Sequence, residues 1–205
     1  MHATFCIAHM TLSDDDLLRN STVAAAGTPT ARYSRTAIAL HWILAALLIA
    51  QIVLGWWMVD LPKSPAGLRA SWFNVHKSIG IVLAALAALR LAWRASHSVD
   101  EPAALPGWQR DVAQATQGML YACMLLMPAS GFLGSTFTRY PIRVFGTVLP
   151  APHMDWPAGK QLMADFHNAT AWAFAVLIAA HVAAAVWHWA QRDGIAARMG
   201  VPSLP

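Results

Sequence analysis

Nine histidines stand in this chain of 205 residues, and five of them fall inside long apolar stretches: His41, His76, His167, His181 and His188. An ionisable side chain at membrane depth is costly, so it faces the interior of a helix bundle and has a task there. Taken singly, each of the five reads equally well as a buried histidine hydrogen-bonded to a neighbouring helix. Their spacing adds more. His167 and His181 are 14 residues apart, nearly four helical turns, which places both on one face with a rise of about 21 Å between them. His188 follows seven residues later, on almost the same face and about 10 Å farther along.

The elements that must position these residues are legible in the charge pattern. Ala37–Val59, Val112–Thr138 and Phe166–Gln191 run for 23, 27 and 26 residues without a charge. Each is longer than the roughly 20 residues that cross a hydrocarbon core. A fourth stretch, Trp72–Trp93, holds only Lys77 and Arg90, both near its ends, where long basic side chains reach the headgroups. The expected fold class is therefore all-α, an integral membrane four-helix bundle. Pro62, Pro65 and Gly67 mark the first connection, and Pro102, Pro106 and Gly107 the second. Pro141, Pro150, Pro152 and Pro157 mark a longer third, and Pro128 should kink the third span.

Consecutive spans alternate in direction. His41 opens the first span on one side, and His76 opens the second on the other. His167 opens the fourth on the side of His76, with His181 farther along, towards His41. Direction alone thus pairs His41 with His181 and His76 with His167. Two imidazoles from facing helices suit a metal that needs two trans nitrogen ligands, and haem iron fits because its porphyrin supplies the other four. Zinc fits poorly, since its sites take four ligands, or three and a water. The expected cofactors are two haem b groups held by coordination alone, one in each half of the bilayer. A six-coordinate bis-histidine iron transfers electrons and has no open position for oxygen. His188 is an alternative ligand to His181, or a hydrogen-bond donor or proton carrier near the interface, a role its ordinary pKa allows. His97 and His153 fall in loops.

Composition agrees. Hydrophobic residues make up 57% and charged residues 12%, against about 25% charged in soluble domains. A net charge of +4 and a pI near 9.5 would suit nucleic acid, but with charges so sparse a membrane is the better explanation and no nucleic-acid partner is expected. The cysteines are Cys6 and Cys123. No C-x-x-C-H occurs, which argues against covalently attached haem. Residues 1–31 lack the marks of a signal peptide and read as a mobile tail, where His2, Cys6 and His9 are a weak metal-binding set. Residues 32–195 form the membrane domain and 196–205 a short C-terminal tail. With cytoplasmic termini, eight basic residues face the cytoplasm and six the other side, a slight positive-inside bias.

These residues resemble the bacterial cytochrome b561 family of di-haem membrane proteins, in particular its superoxide oxidase branch. The matching residues are Tyr33-Ser34-Arg35 with His41-Trp42, and Val75-His76-Lys77-Ser78-Ile79-Gly80. Tyr121, Pro128 and Gly131 follow, then Phe166-His167-Asn168, Ala180–Ala185 and His188. The resemblance implies that His41, His76, His167 and His181 ligate two haems in a bacterial cytoplasmic membrane. It also implies that superoxide is oxidised on the periplasmic side and ubiquinone is reduced. Gln114 and Gln117 stand where some relatives carry histidines, so no role carries over to them. Six basic residues on the His76 side, against Asp60, Asp155 and Asp165, would draw in an anion. Lys77, Arg139 and Arg143 are the candidates for that role, with anchoring to lipid phosphates as the plainer alternative. His188 and Trp189 would border a quinone pocket. Two rival readings share the histidines: a haem-bearing membrane anchor for a dehydrogenase or hydrogenase subunit, and a haem-free transporter.

Overall fold

The computed structural model describes residues 32–63, 67–97 and 106–202; the expectations for residues 1–31 lie outside them. Four long helices carry the chain: α1 (Arg35–Val59), α2 (Leu68–Ser96), α3 (Gly107–Thr136) and α4 (Pro157–Gln191). All four are long and apolar enough to cross a membrane. Each starts or ends beyond its uncharged stretch, and α4 does so most, beginning nine residues before Phe166. Pro157 occupies its first turn, where a missing N–H costs nothing. The polar residues Lys160, Gln161 and Asp165 then build two turns before the apolar run. Ser34 caps α1 by accepting from the Ala37 N–H at 3.2 Å.

Helix contacts set the register. In α1 and α2, which run antiparallel, the Gln51 amide donates to the His76 carbonyl at 2.7 Å and Arg90 donates to the Ala37 carbonyl at 3.1 Å. Trp56 stacks on Trp172 at 4.8 Å between α1 and α4. Leu44, Leu83, Ala87, Cys123 and Phe174 are buried between helices, whereas Ile43, Ile49, Val53, Leu89, Leu125, Val176 and Val182 stand exposed. An apolar girdle of that extent is the surface a bilayer covers.

The third connection holds structure that its proline content concealed. Strands β1 (Arg143–Val144) and β2 (Thr147–Val148) pair as a hairpin. Its two-residue turn puts Phe145 at φ 48° and Gly146 at φ 87°, the signs a type I′ turn demands. Ile142 beside it is 1% exposed. The Phe145 N–H donates to the buried Ser78 hydroxyl at 2.9 Å, and that hydroxyl donates to the Asn74 carbonyl at 2.8 Å. The hairpin is thus pinned to α2 two residues after His76.

The chain after α4 also folds back. Arg192 and Gly194 take positive φ, and a 3-10 turn, Ala196–Met199, follows. The Tyr33 N–H donates to the Arg198 carbonyl at 3.3 Å, the Trp42 indole donates to the Met199 carbonyl at 3.1 Å, and the Trp189 indole donates to the Pro202 carbonyl at 2.9 Å. Residues 196–202 therefore close one end of the bundle.

Ser78→Ala removes the acceptor for the Phe145 N–H inside a buried contact, which should cost about 1 kcal/mol. Amide hydrogen exchange should show faster exchange at residues 142–149 and little change in α4.

Candidate functional site

The structure brings the membrane-depth histidines together in two pairs. His41 of α1 faces His181 of α4 with ring centroids 6.2 Å apart and planes at 70°. His76 of α2 faces His167 of α4 at 6.3 Å and 73°. The α4 helix spans both levels without a proline between them, so the two pairs are about 21 Å apart along its axis.

Rings at that separation neither touch nor hydrogen-bond. The spacing has a simple chemical meaning. Two imidazoles bound to opposite sides of one metal, at an ordinary metal–nitrogen bond of about 2.0 Å, have centroids about 6 Å apart. Among the described residues no group of three or more His, Cys, Asp or Glu side chains could hold a metal ion. Each pair therefore fits an ion whose remaining ligands come from its own macrocycle, and haem iron is such an ion.

Small residues make room beside the rings. A Cβ on Gly55 would come within 3.2 Å of His76 Cε1, and one on Gly131 within 3.2 Å of His167 Cε1. Gly134 packs against Met163, where an added Cβ would meet the side chain at 3.0 Å. Pro128 lies inside α3, and just after it Ser130 donates to the Met127 carbonyl at 3.0 Å. The Ser130 oxygen then lies 3.0 Å from His167 Nδ1. With the hydroxyl donating to Met127, Ser130 can accept from Nδ1–H, the tautomer that leaves the lone pair on Nε2. A histidine that must ligate a metal is oriented by a partner of this kind. His76 Nδ1 is buried and, among the described residues, meets no hydrogen-bond partner.

A family model described as prokaryotic cytochrome b561 matches residues 32–200. The chain belongs to the prokaryotic cytochrome b561 family. It is 32% identical over 177 residues to cytochrome b561 homolog 2 of Escherichia coli, covering 82% of this chain and 90% of that protein. Cytochrome b562 of Cereibacter sphaeroides is 27% identical, covering 83% and 96%. Cytochrome b561 homolog 1 of Escherichia coli is 28% identical, covering 82% and 96%. This cytochrome b561 is thus a multi-pass bacterial membrane protein that binds haem b and transfers electrons.

The other sequence candidates are placed as follows. Lys77 is half-buried beside His76. Arg139 is engaged, its guanidinium bonded to the Asp155 carboxylate at 2.6 Å. Hydrogen bonding and attraction from Asp155 push its pKa above the ordinary arginine value. Arg143 leans towards the Gly146 carbonyl at 3.4 Å. His188 Nδ1 is 2.5 Å from Asp193 Oδ2, and Asp193 also accepts from the Ile195 N–H at 3.0 Å. His97 stacks on Trp93 at 4.0 Å, and His153 is exposed. Arg90 does not reach outward to headgroups as its position in the sequence suggested; it turns inward to α1.

Sequence reasoning passed over Gln51 and Ser130. For Gln51 a signal existed, since it and His41 are the polar positions of the α1 apolar run, and a lone amide at membrane depth must find a partner. Ser130 offered none, because a small hydroxyl in a helix commonly bonds its own preceding carbonyl.

Gly131→Val should crowd His167 and lower haem content per chain, measured as pyridine haemochrome. Gly118→Val should leave haem content unchanged, because a Cβ there meets nothing within 4 Å.

Proposed function

We propose that this cytochrome b561 holds two haems b, one between His41 and His181 and one between His76 and His167. With them it oxidises superoxide on one face of the bacterial inner membrane and reduces ubiquinone at the other. The observation that carries the reading is the pair of imidazole gaps, both sized for one metal and both bridged by α4. Bound haem b supplies a one-electron couple at each level. The protein's own part is to hold the imidazoles in register, to exclude water from between the helices and to choose what approaches each end.

At the His76 end, the described basic residues are Lys63, Arg69, Lys77, Arg139, Arg143 and Lys160. Arg139 spends its charge on Asp155. Arg69 donates to the Leu61 carbonyl at 2.9 Å and lies over the Phe73 ring. Lys77, adjacent to His76, is the cation best placed to raise the local concentration of a small anion. At the His41 end, reduction of one quinone consumes two electrons and two protons. His188, bonded to Asp193 and lining a recess with Trp189 and Arg192, is the group that delivers protons there. This supports a role in proton delivery over a role as iron ligand, because the His41 ring faces His181 and His188 pairs with a carboxylate.

A visible spectrum of the purified protein, oxidised and dithionite-reduced, should show two non-covalent haems b per chain. His76→Ala and His167→Ala should each lose the same haem, and His41→Ala and His181→Ala the other. Both haems surviving in any of the four would sink the pairing. Lys77→Gln should slow superoxide oxidation about two- to tenfold at low salt and flatten its salt dependence. Arg139→Gln should do much less, since Asp155 already neutralises that charge.

A further inference from the structure

A cleft opens at the His41–His181 end of the bundle. It is lined by Tyr33, Ala37, Arg90, Arg94, Tyr121 and Met199, among others, and among the described residues no Asp or Glu lines it. Arg90 and Arg94 stand one turn apart on the same face of α2. Arg90 is half-buried and donates from one Nη to the Ala37 carbonyl. Arg94 donates to the Tyr33 hydroxyl at 3.3 Å. Neither joins a carboxylate in an ion pair among the described residues. A guanidinium carries five N–H donors, so both retain capacity directed at the same cleft.

The cleft begins where the histidine pair ends. Ala37 precedes His41 by one turn on the same face of α1. Arg90 reaches across to the Ala37 carbonyl, one turn before His41, at 3.1 Å. Haem b is itself amphipathic, an apolar ring with two propionates side by side on one edge. A ring held between His41 and His181 must turn that edge towards the polar end, since carboxylates at hydrocarbon depth are costly. Here the polar end is a cleft with two guanidiniums and, among the described residues, no acid in its lining.

We infer that Arg90 and Arg94 clamp the two propionates of the haem held by His41 and His181. The inference rests on the ligation proposed above. Arginine suits the task, because its planar fork matches a carboxylate in two parallel hydrogen bonds and keeps its charge when half-buried. Trp93 donates to Ser34 at 3.2 Å and Arg198 lies over the Tyr33 ring, so the wall opposite the arginines is braced by the N-terminal turn and the returning C-terminal segment.

The test is a potentiometric titration of the purified full chain carrying Arg90→Gln, Arg94→Gln or both, with haem quantified per chain. Fewer than two haems in the unsubstituted protein would defeat the ligation reading itself and the clamp with it. If two are present, loss of a cation beside a propionate favours the ferric state, so the midpoint potential of one haem should fall and the other stay put. The double variant should fall further, and Arg90→Lys should recover most of the loss. Repeating Arg94→Gln in the His76→Ala background identifies the haem, because the one left is the one at His41 and His181. If Arg90→Gln does not fold, Arg94→Gln at the exposed rim carries the same reading. Unchanged potentials, or equal shifts in both haems, would overturn the clamp. Unchanged potentials with a raised KM for quinone would overturn it too, and would assign the cleft to quinone.

Discussion

A polar group inside a bilayer has no water to turn to, and in this bundle two long polar side chains cross to another helix. The Gln51 amide closes on the His76 carbonyl and the Arg90 guanidinium on the Ala37 carbonyl. Those two bonds lie far apart along α1 and α2, so together they fix the antiparallel register of the helices. Register in turn decides that His41 and His76 sit at opposite ends. Were α1 to slip by one turn, about 5.4 Å, neither of its polar contacts would survive and His41 would leave the level of His181.

Close approach is the second requirement, and it depends on what is missing from the side chains. Gly55 and Gly131 lie against the rings of His76 and His167, and Gly134 against Met163. In lipid there is little hydrophobic gain from bringing helices together, so packing and interhelical hydrogen bonds must hold them. Small residues supply the first and Ser130 and Gln51 the second. The same glycines leave the imidazoles free to stand across a gap from each other instead of packing against a methyl group.

The two ends are finished differently. Over the His76–His167 end lies a short hairpin, pinned through Phe145 to Ser78, with basic residues around it and one of them, Arg139, neutralised by Asp155. Over the His41–His181 end the chain after α4 returns to meet Tyr33 and Trp42. That return brings Asp193 to His188 and leaves Arg90 and Arg94 facing a cleft in which no described residue is an acid. One end concentrates exposed positive charge; the other builds a recess with a titratable pair and two guanidiniums.

The sequence by itself determined the four spans, because crossing a hydrocarbon core demands a length of uncharged residues that nothing else in a chain imitates. It also determined which histidines share a level, since helix direction alternates and 14 residues along α4 can be converted to a height. Tertiary structure alone decided the rest. Whether facing imidazoles meet, hydrogen-bond or stand 6 Å apart depends on helix separation, and that depends on which glycine lies opposite which ring. The inward turn of Arg90, the commitment of Arg139 to Asp155 and the pinning of the hairpin by Ser78 are contacts between residues far apart in the chain. A charged or hydroxyl side chain carries no local mark of its partner, so only the folded arrangement can name it.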